Sequence, residues 1–238
     1  MREFAHIWKH YNQRMATRPR NYILYLLIPL VIILANFGAN IGMGNAGDMA
    51  MIFVPASLMV LAFQYLTSEI LMYNVFTTLR GKMAERLFAS PVKQYTFLTG
   101  AVASSLMLNL LQSTVIMGVI TIAFGVALGN PLTFFGFLFL TGIISQLLAA
   151  LVAQIAKTRK AADGIYTMIV LVMFIGLEFV PVTRPIFSWA TPLGLAWQGI
   201  VANINGETTG VVKIAILAGF ALILATAVAI IGKRRNTI

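Results

Sequence analysis

Residues 76–99 read FTTLRGKMAERLFASPVKQYTFLT, and what this stretch does between its neighbours decides the fold. It is a polar interruption carrying Arg80, Lys82, Glu85, Arg86 and Lys93 between two very apolar segments. Leu79, Met83 and Leu87 recur every four residues, which gives a short helix one greasy face, while Arg80, Lys82, Glu85 and Arg86 fall largely on the remaining surface. Ser90-Pro91 stops that helix, because proline lacks an amide hydrogen and disfavours a helical residue before it. Two physical readings stand side by side. One is a stiff docking surface between two membrane spans; the other is an interfacial helix resting on lipid headgroups.

The flanks set the class. Of 238 residues 59% are hydrophobic and only 10% charged, where a soluble domain carries about a quarter charged; the mean hydropathy is +0.88. So few charges cannot keep that much apolar surface in water, so the expected class is an all-α integral membrane protein. There is no cysteine, which excludes disulfides, thiolate metal sites and cysteine nucleophiles.

Working outward, residues 1–20 are basic but place Phe4, Ile7, Trp8, Tyr11 and Met15 at helical spacing, the pattern of an amphipathic interfacial helix. His6 and His10 are four apart, and with no third ligand nearby they read as surface residues. Six spans follow, at 22–42, 51–76, 100–128, 132–156, 165–180 and 211–231, within a single domain over 1–238. About 20 apolar residues match the hydrocarbon core, and the first run is too long for a signal peptide's apolar region. Gly38 and Gly42, with Asn36 and Asn40, suggest that the outer half of span one packs on another helix. Gly129-Asn130-Pro131 ends span three, and KTRKAADG (157–164) is a loop. Residues 181–210 are too polar and proline-interrupted to cross, yet too apolar for an ordinary loop. One or two short helices dipping back into the bilayer fit them, with Pro192 in a first turn and Leu193, Ala196, Trp197 and Ile200 at helical spacing.

The formal net charge of +10 could point to nucleic acid, but the charges are sorted. Five basic residues precede span one, four lie in 77–99, three in 156–164 and three after span six, leaving only Arg184 and Lys213 on the other side. That is the positive-inside pattern, with both termini cytoplasmic in the plasma membrane. The charge reports topology and contact with anionic lipid rather than nucleic acid.

Glu69 is the one carboxylate well within a span, and such a group is costly unless it faces protein or water. It can stay protonated and hydrogen-bond a neighbouring helix, line a translocation path, or serve a proton relay. Glu178, six residues from Arg184, reads as half of a local ion pair. Asn109, Gln112 and Gln146 read as helix–helix partners before ligands. There is no HExxH, no GxSxG and no GxxxxGK[ST], so no enzyme constellation is visible and no phosphate loop to hold ATP.

Glu85-Arg86-Leu87-Phe88-Ala89-Ser90-Pro91-Val92, with Gly81 before it, resembles the E-R-x-x-G-T-L-E-R-L-L-A-S-P-V pattern of the permease subunits of type-2 ABC transporters, a family of exporters. Here the glycine-to-glutamate spacing is one residue longer, and Thr77-Thr78 stand where acidic residues are usual. Independently, Thr191-Pro192-Leu193-Gly194 is similar to the family's Asn/Thr-Pro-Leu segment before the last span. With the interfacial helix and six spans, the likeness covers essentially the whole chain.

The resemblance implies a cytoplasmic coupling helix in 77–99, with Arg80, Lys82, Met83, Glu85, Arg86, Leu87, Ser90 and Pro91 docking a separate ABC ATPase, two per complex. ATP and Mg would be bound there, and no cofactor by this chain. It implies a second permease, identical or homologous, with a pathway where spans one, two and five meet. Asn36, Asn40, Gln64, Glu69 and Glu178 are then candidate pathway groups. The extracellular re-entrant helices would form an outer gate through Phe187, Trp189, Pro192, Leu193 and Trp197. The substrate expected is a hydrophobic or amphipathic drug, antibiotic, lipid or peptide. The alternative is a non-transporting sensor or scaffold of the same fold, for example in antimicrobial self-protection.

Overall fold

The computed structural model describes residue 9 and residues 27–42, 49–80, 94–125, 128–178, 184–207 and 210–235. Apart from Lys9, the expected interfacial helix lies outside those residues, as do most of the coupling segment (81–93) and residues 179–183. Eight helices are described: α1 (Ile28–Gly42), α2 (Met49–Arg80), α3 (Gln94–Phe124), α4 (Pro131–Ile155), α5 (Arg159–Glu178), α6 (Arg184–Ala190), α7 (Pro192–Ile204) and α8 (Gly210–Arg235).

Five of them contain stretches long and apolar enough to cross a bilayer, namely Ala56–Leu79, Thr96–Ile122, Pro131–Ile155, Arg159–Leu177 and Gly210–Lys233. The chain is a multi-pass membrane protein. The described part of α1 has 15 residues and so covers about 22 Å; residues 22–26 of the expected first span are not described.

Helix and membrane boundaries differ. α2 continues past Phe76 to Arg80, and α3 begins at Gln94, inside the interval read as the coupling region. The 157–164 stretch read as a loop is helical from Arg159 onward. Its Lys, Ala and Arg residues are good helix formers, and Thr158 Oγ1 accepts the Ala161 N–H at 3.2 Å in place of a missing helical carbonyl. Charge marks where lipid stops, not where the helix stops.

α2 and α4 form the central pair, surrounded by α3, α5, α7 and α8, with α1 packed on α2. The most apolar segment, in α8, is only 11% buried, whereas the least apolar, in α2, is 61% buried. This inversion follows from the solvent: lipid tails favour the greasiest helix outside, and polar side chains must find protein partners inside.

The turn into α4 forms as its residues dictate. Asn130 Oδ1 accepts the N–H groups of Leu132 (3.0 Å) and Thr133 (3.3 Å), and Pro131 occupies the first turn. Gly129 has φ +65°, and a methyl there would strike the Asn203 backbone carbonyl, so only glycine fits. Asn203, near the end of α7, returns the contact. Its Nδ2 donates to the carbonyls of Leu128 (2.8 Å) and Asn130 (3.1 Å), and its Oδ1 accepts the Asn130 N–H at 3.3 Å.

α6 and α7 occupy the interval in which the sequence places one or two short helices. Thr191 joins them: its Oγ1 donates to the Phe187 carbonyl at 2.6 Å and accepts the Gly194 N–H at 3.1 Å. α7 has 13 residues, about 20 Å, too short to cross. It lies against α4, where a methyl on Gly199 would fall inside the Phe137 ring.

Candidate functional site

α2 is buried around most of its circumference, but one stripe is left partly open. Met59, Ala62, Phe63, Leu66, Glu69, Ile70 and Tyr73 along it are half-buried or exposed, whereas Leu58, Leu61, Tyr65, Ser68 and Met72 are buried. The open positions step by three or four residues, so they share a helix face.

Behind that face lies a knot of polar side chains joining four helices. Gln64 Nε2 donates to Ser113 Oγ on α3 (2.8 Å) and to the Leu138 carbonyl on α4 (3.2 Å). Asn109 Nδ2 donates to the Gln64 carbonyl at 2.9 Å. Ser68 and Ser145 meet hydroxyl to hydroxyl at 2.8 Å, and Tyr166 of α5 donates to the Tyr65 carbonyl at 2.7 Å. All these side chains are buried. In hydrocarbon each needs a protein partner, so the knot sets the register of α2 against α3, α4 and α5.

On the open face, a cavity of about 280 Å³ lies between α1, α2 and α5, lined entirely by apolar side chains including Ile32, Met59, Phe63, Leu66, Val170 and Phe174. Its edge toward the Arg80 end is charged. Glu69 is three residues beyond Leu66 on α2, and Asp163 is seven residues before Val170 on α5, so each carboxylate shares a face with a cavity residue. Arg159 Nε lies 3.8 Å from Asp163 Oδ2, and its guanidinium sits 4.1 Å from the centre of the Tyr73 ring. Glu69 is half-buried and feels the charges of both Asp163 and Arg159. One guanidinium and two carboxyl groups thus stand together beyond the apolar walls.

The residues singled out from sequence separate by place. Glu69 lies one turn beyond the wall residue Leu66 on the same face of α2, without itself lining the cavity. Gln64 is completely buried in the knot and does not line the cavity. Asn36 and Asn40 lie on α1 and Glu178 ends α5, but their side chains are outside the described set. Arg80 ends α2; Lys82, Met83, Glu85, Arg86, Leu87, Ser90 and Pro91 lie outside the described residues. Phe187 and Trp189 are on α6, and Pro192, Leu193 and Trp197 on α7. Leu193 and Trp197 are buried, while Trp189 is 58% exposed.

Asn109 does bridge helices, whereas the amides of Gln112 and Gln146 are buried with no hydrogen-bond partner among the described residues. Gly38, read as a packing position, faces open space within the chain. Sequence reasoning did not single out Arg159, Asp163 and Tyr73 as a site. The available signals were the four-residue steps from Arg159 to Asp163 and from Glu69 to Tyr73, which put charge and ring on matching faces once 157–164 is taken as helix.

Residues 44–230 match the family described as "ABC-2 family transporter protein". No curated protein matches the chain.

Proposed function

Because the chain belongs to the ABC-2 family of transporter proteins, a family of membrane transport components without a catalytic site of their own, we propose that it is the permease of an ATP-driven exporter. It moves a hydrophobic or amphipathic substrate, such as a drug, antibiotic, lipid or peptide, out of the cytoplasm or inner leaflet. Two separate ATPase subunits bind ATP and Mg and grip the segment 77–99 from the cytoplasm. A second permease, identical or homologous, packs beside α1, and the open surface at Gly38 supports that placement. The complex sits in the plasma membrane with both termini cytoplasmic.

The observation that carries the reading is the family match over most of the chain. The cavity supports the substrate class. Its walls are apolar, and Glu69 lies one turn along α2 from the wall residue Leu66, an arrangement that suits an apolar body bearing a positive group. The test is ATPase activity of the reconstituted complex. Glu85→Lys or Met83→Asp is expected to abolish stimulation of the partner ATPase while leaving the thermal unfolding of the permease unchanged. Normal coupling in both variants removes the docking claim. Coupling to the ATPase without export of any substrate in a panel of lipids, peptides and drugs would favour a sensor instead.

A further inference from the structure

At the other end of the bundle, a cavity of about 460 Å³ opens between the α6–α7 hairpin and the start of α8. Among its walls are Ser188, Trp189, Trp197, Gln198, Glu207 and Lys213. Its chemistry is unlike that of the apolar cavity, and although Trp189 and Trp197 are also expected gate residues, the export reading uses none of Gln198, Glu207 and Lys213.

Lys213 is the anomaly. It is only 7% exposed, and it is the fourth residue of α8, in the first turn. Burial in a membrane protein is costly for an ammonium, and the positive end of a helix dipole repels it. The chain offsets these costs only in part, through the charge of Glu207 on the same cavity wall. The Lys213 Nζ, with three protons to donate, reaches the Gln198 carbonyl at 3.5 Å, a long contact, and lies 5.5 Å from the centre of the Trp189 ring. An anion in the cavity would meet the ammonium.

A second, independent observation concerns the opposite charge. Gln198 Oε1 is buried without a hydrogen-bond partner among the described residues, and Glu207 is close enough for its charge to act on Lys213. The Lys213 ammonium is therefore short of an acceptor, and the Gln198 amide oxygen is short of a donor. Trp189, 58% exposed beside them, has the amphipathic character favoured at the headgroup level of a bilayer.

We propose that this cavity holds a zwitterionic phospholipid headgroup, its phosphate on Lys213 and its ammonium facing Gln198 Oε1 and Glu207, with the indoles of Trp189 and Trp197 against the lipid's glycerol and upper chain. The site is on the outer leaflet under the orientation proposed above, but its occupancy does not depend on transport. Direct tests can therefore fail or succeed independently of the export reading.

The experiment is lipid retention by the purified full-length chain, delipidated in a neutral detergent and titrated in native mass spectrometry. The probes are phosphatidylethanolamine, phosphatidylglycerol, dioleoylglycerol and inorganic phosphate. Phosphatidylethanolamine is expected to bind best. Lys213→Met should weaken it about tenfold or more, as expected for losing a charge-assisted hydrogen bond, while Lys213→Arg restores it and dioleoylglycerol is indifferent to both. Trp189→Ala, at an exposed position, should weaken binding several-fold without altering thermal unfolding, which guards against a folding artefact in the lysine variants. Retention of dioleoylglycerol equal to that of phospholipid would overturn the site. So would binding unchanged by Lys213→Met. Equal retention of phosphatidylethanolamine and phosphatidylglycerol would overturn the ammonium assignment. Lys213-dependent displacement of the lipid by millimolar phosphate would assign the site to the free anion instead.

Discussion

If the Glu69 carboxylate beside the α1–α2–α5 cavity reads the charge of the cargo, Glu69→Gln will separate cationic from neutral substrates. The substitution keeps the side chain's size and removes one negative charge. Asp163 and Arg159 then remain as a nearly neutral pair, 3.8 Å apart. A positive group about 6 Å from Glu69 would lose about 1–3 kcal/mol, taking an effective dielectric of about 20–40 for a half-buried position. That is a shift of about 10- to 100-fold in half-saturating concentration. The assay is transport, with ATPase stimulation read in parallel, for two amphiphiles matched in apolar body, one bearing a quaternary ammonium and one neutral. The cationic member should shift and the neutral one should not. Asp163→Asn should produce a smaller shift in the same direction, because that carboxylate is already engaged by Arg159. Equal shifts for both amphiphiles would mean that Glu69 supports the fold or a proton step. No shift for either would remove it from the path.

Two predictions concern how the hairpin is held. Gly199→Ala places a methyl within the ring of Phe137, which is completely buried and cannot move aside. It should cost about 1–3 kcal/mol, read as a lowered unfolding midpoint in detergent, and Phe137→Leu should recover part of that loss in a double-mutant cycle; additive losses would refute the contact. Asn203→Leu removes three hydrogen bonds to residues 128 and 130 and should cost about 2 kcal/mol at about 0.6 kcal/mol for each. A stability unchanged by Asn203→Leu would mean that the turn holds without the hairpin.

Much of the fold is legible in the residues, and what is not legible has a physical cause. The Gly129-Asn130-Pro131 turn is local: its cap, its proline and its left-handed glycine are all dictated within three residues. The polar members of α2 are visible too, but their roles are not. Gln64 and Glu69 are five residues apart, about 140° around the helix, so they point into different surroundings. Only the packing of α3, α4 and α5 decides that Gln64 is bonded inside while Glu69 meets the open face. Arg159 and Asp163 were hidden by treating a run of charge as a loop. Lys213 appears in the sequence as a stray basic residue near the start of a span. Its cavity exists only because a separate hairpin folds against that helix.

The same knot that sets the register of α2 also argues for where the chain yields during transport. Opening it would strip partners from Gln64, Ser68, Asn109, Ser113, Ser145 and Tyr166, all buried, and each orphaned group costs about 1–3 kcal/mol in an apolar medium. The walls of the α1–α2–α5 cavity are apolar, and lipid tails are as apolar as leucine, so parting them strands no hydrogen bond. Relative motion should therefore occur along the cavity and leave α2–α3–α4–α5 as one body. The absence of native cysteine makes this testable by cross-linking. Ser68→Cys with Ser145→Cys replaces hydroxyls 2.8 Å apart, close enough for a disulfide after a small adjustment. Oxidising that pair should leave ATP-driven transport intact. Ile32→Cys with Leu171→Cys, on opposite walls of the cavity and tied by a short bifunctional thiol reagent, should arrest it. If the Ser68–Ser145 link stops transport and a reductant restores it, the knot opens in every cycle and the hydrogen-bond penalty has been overestimated.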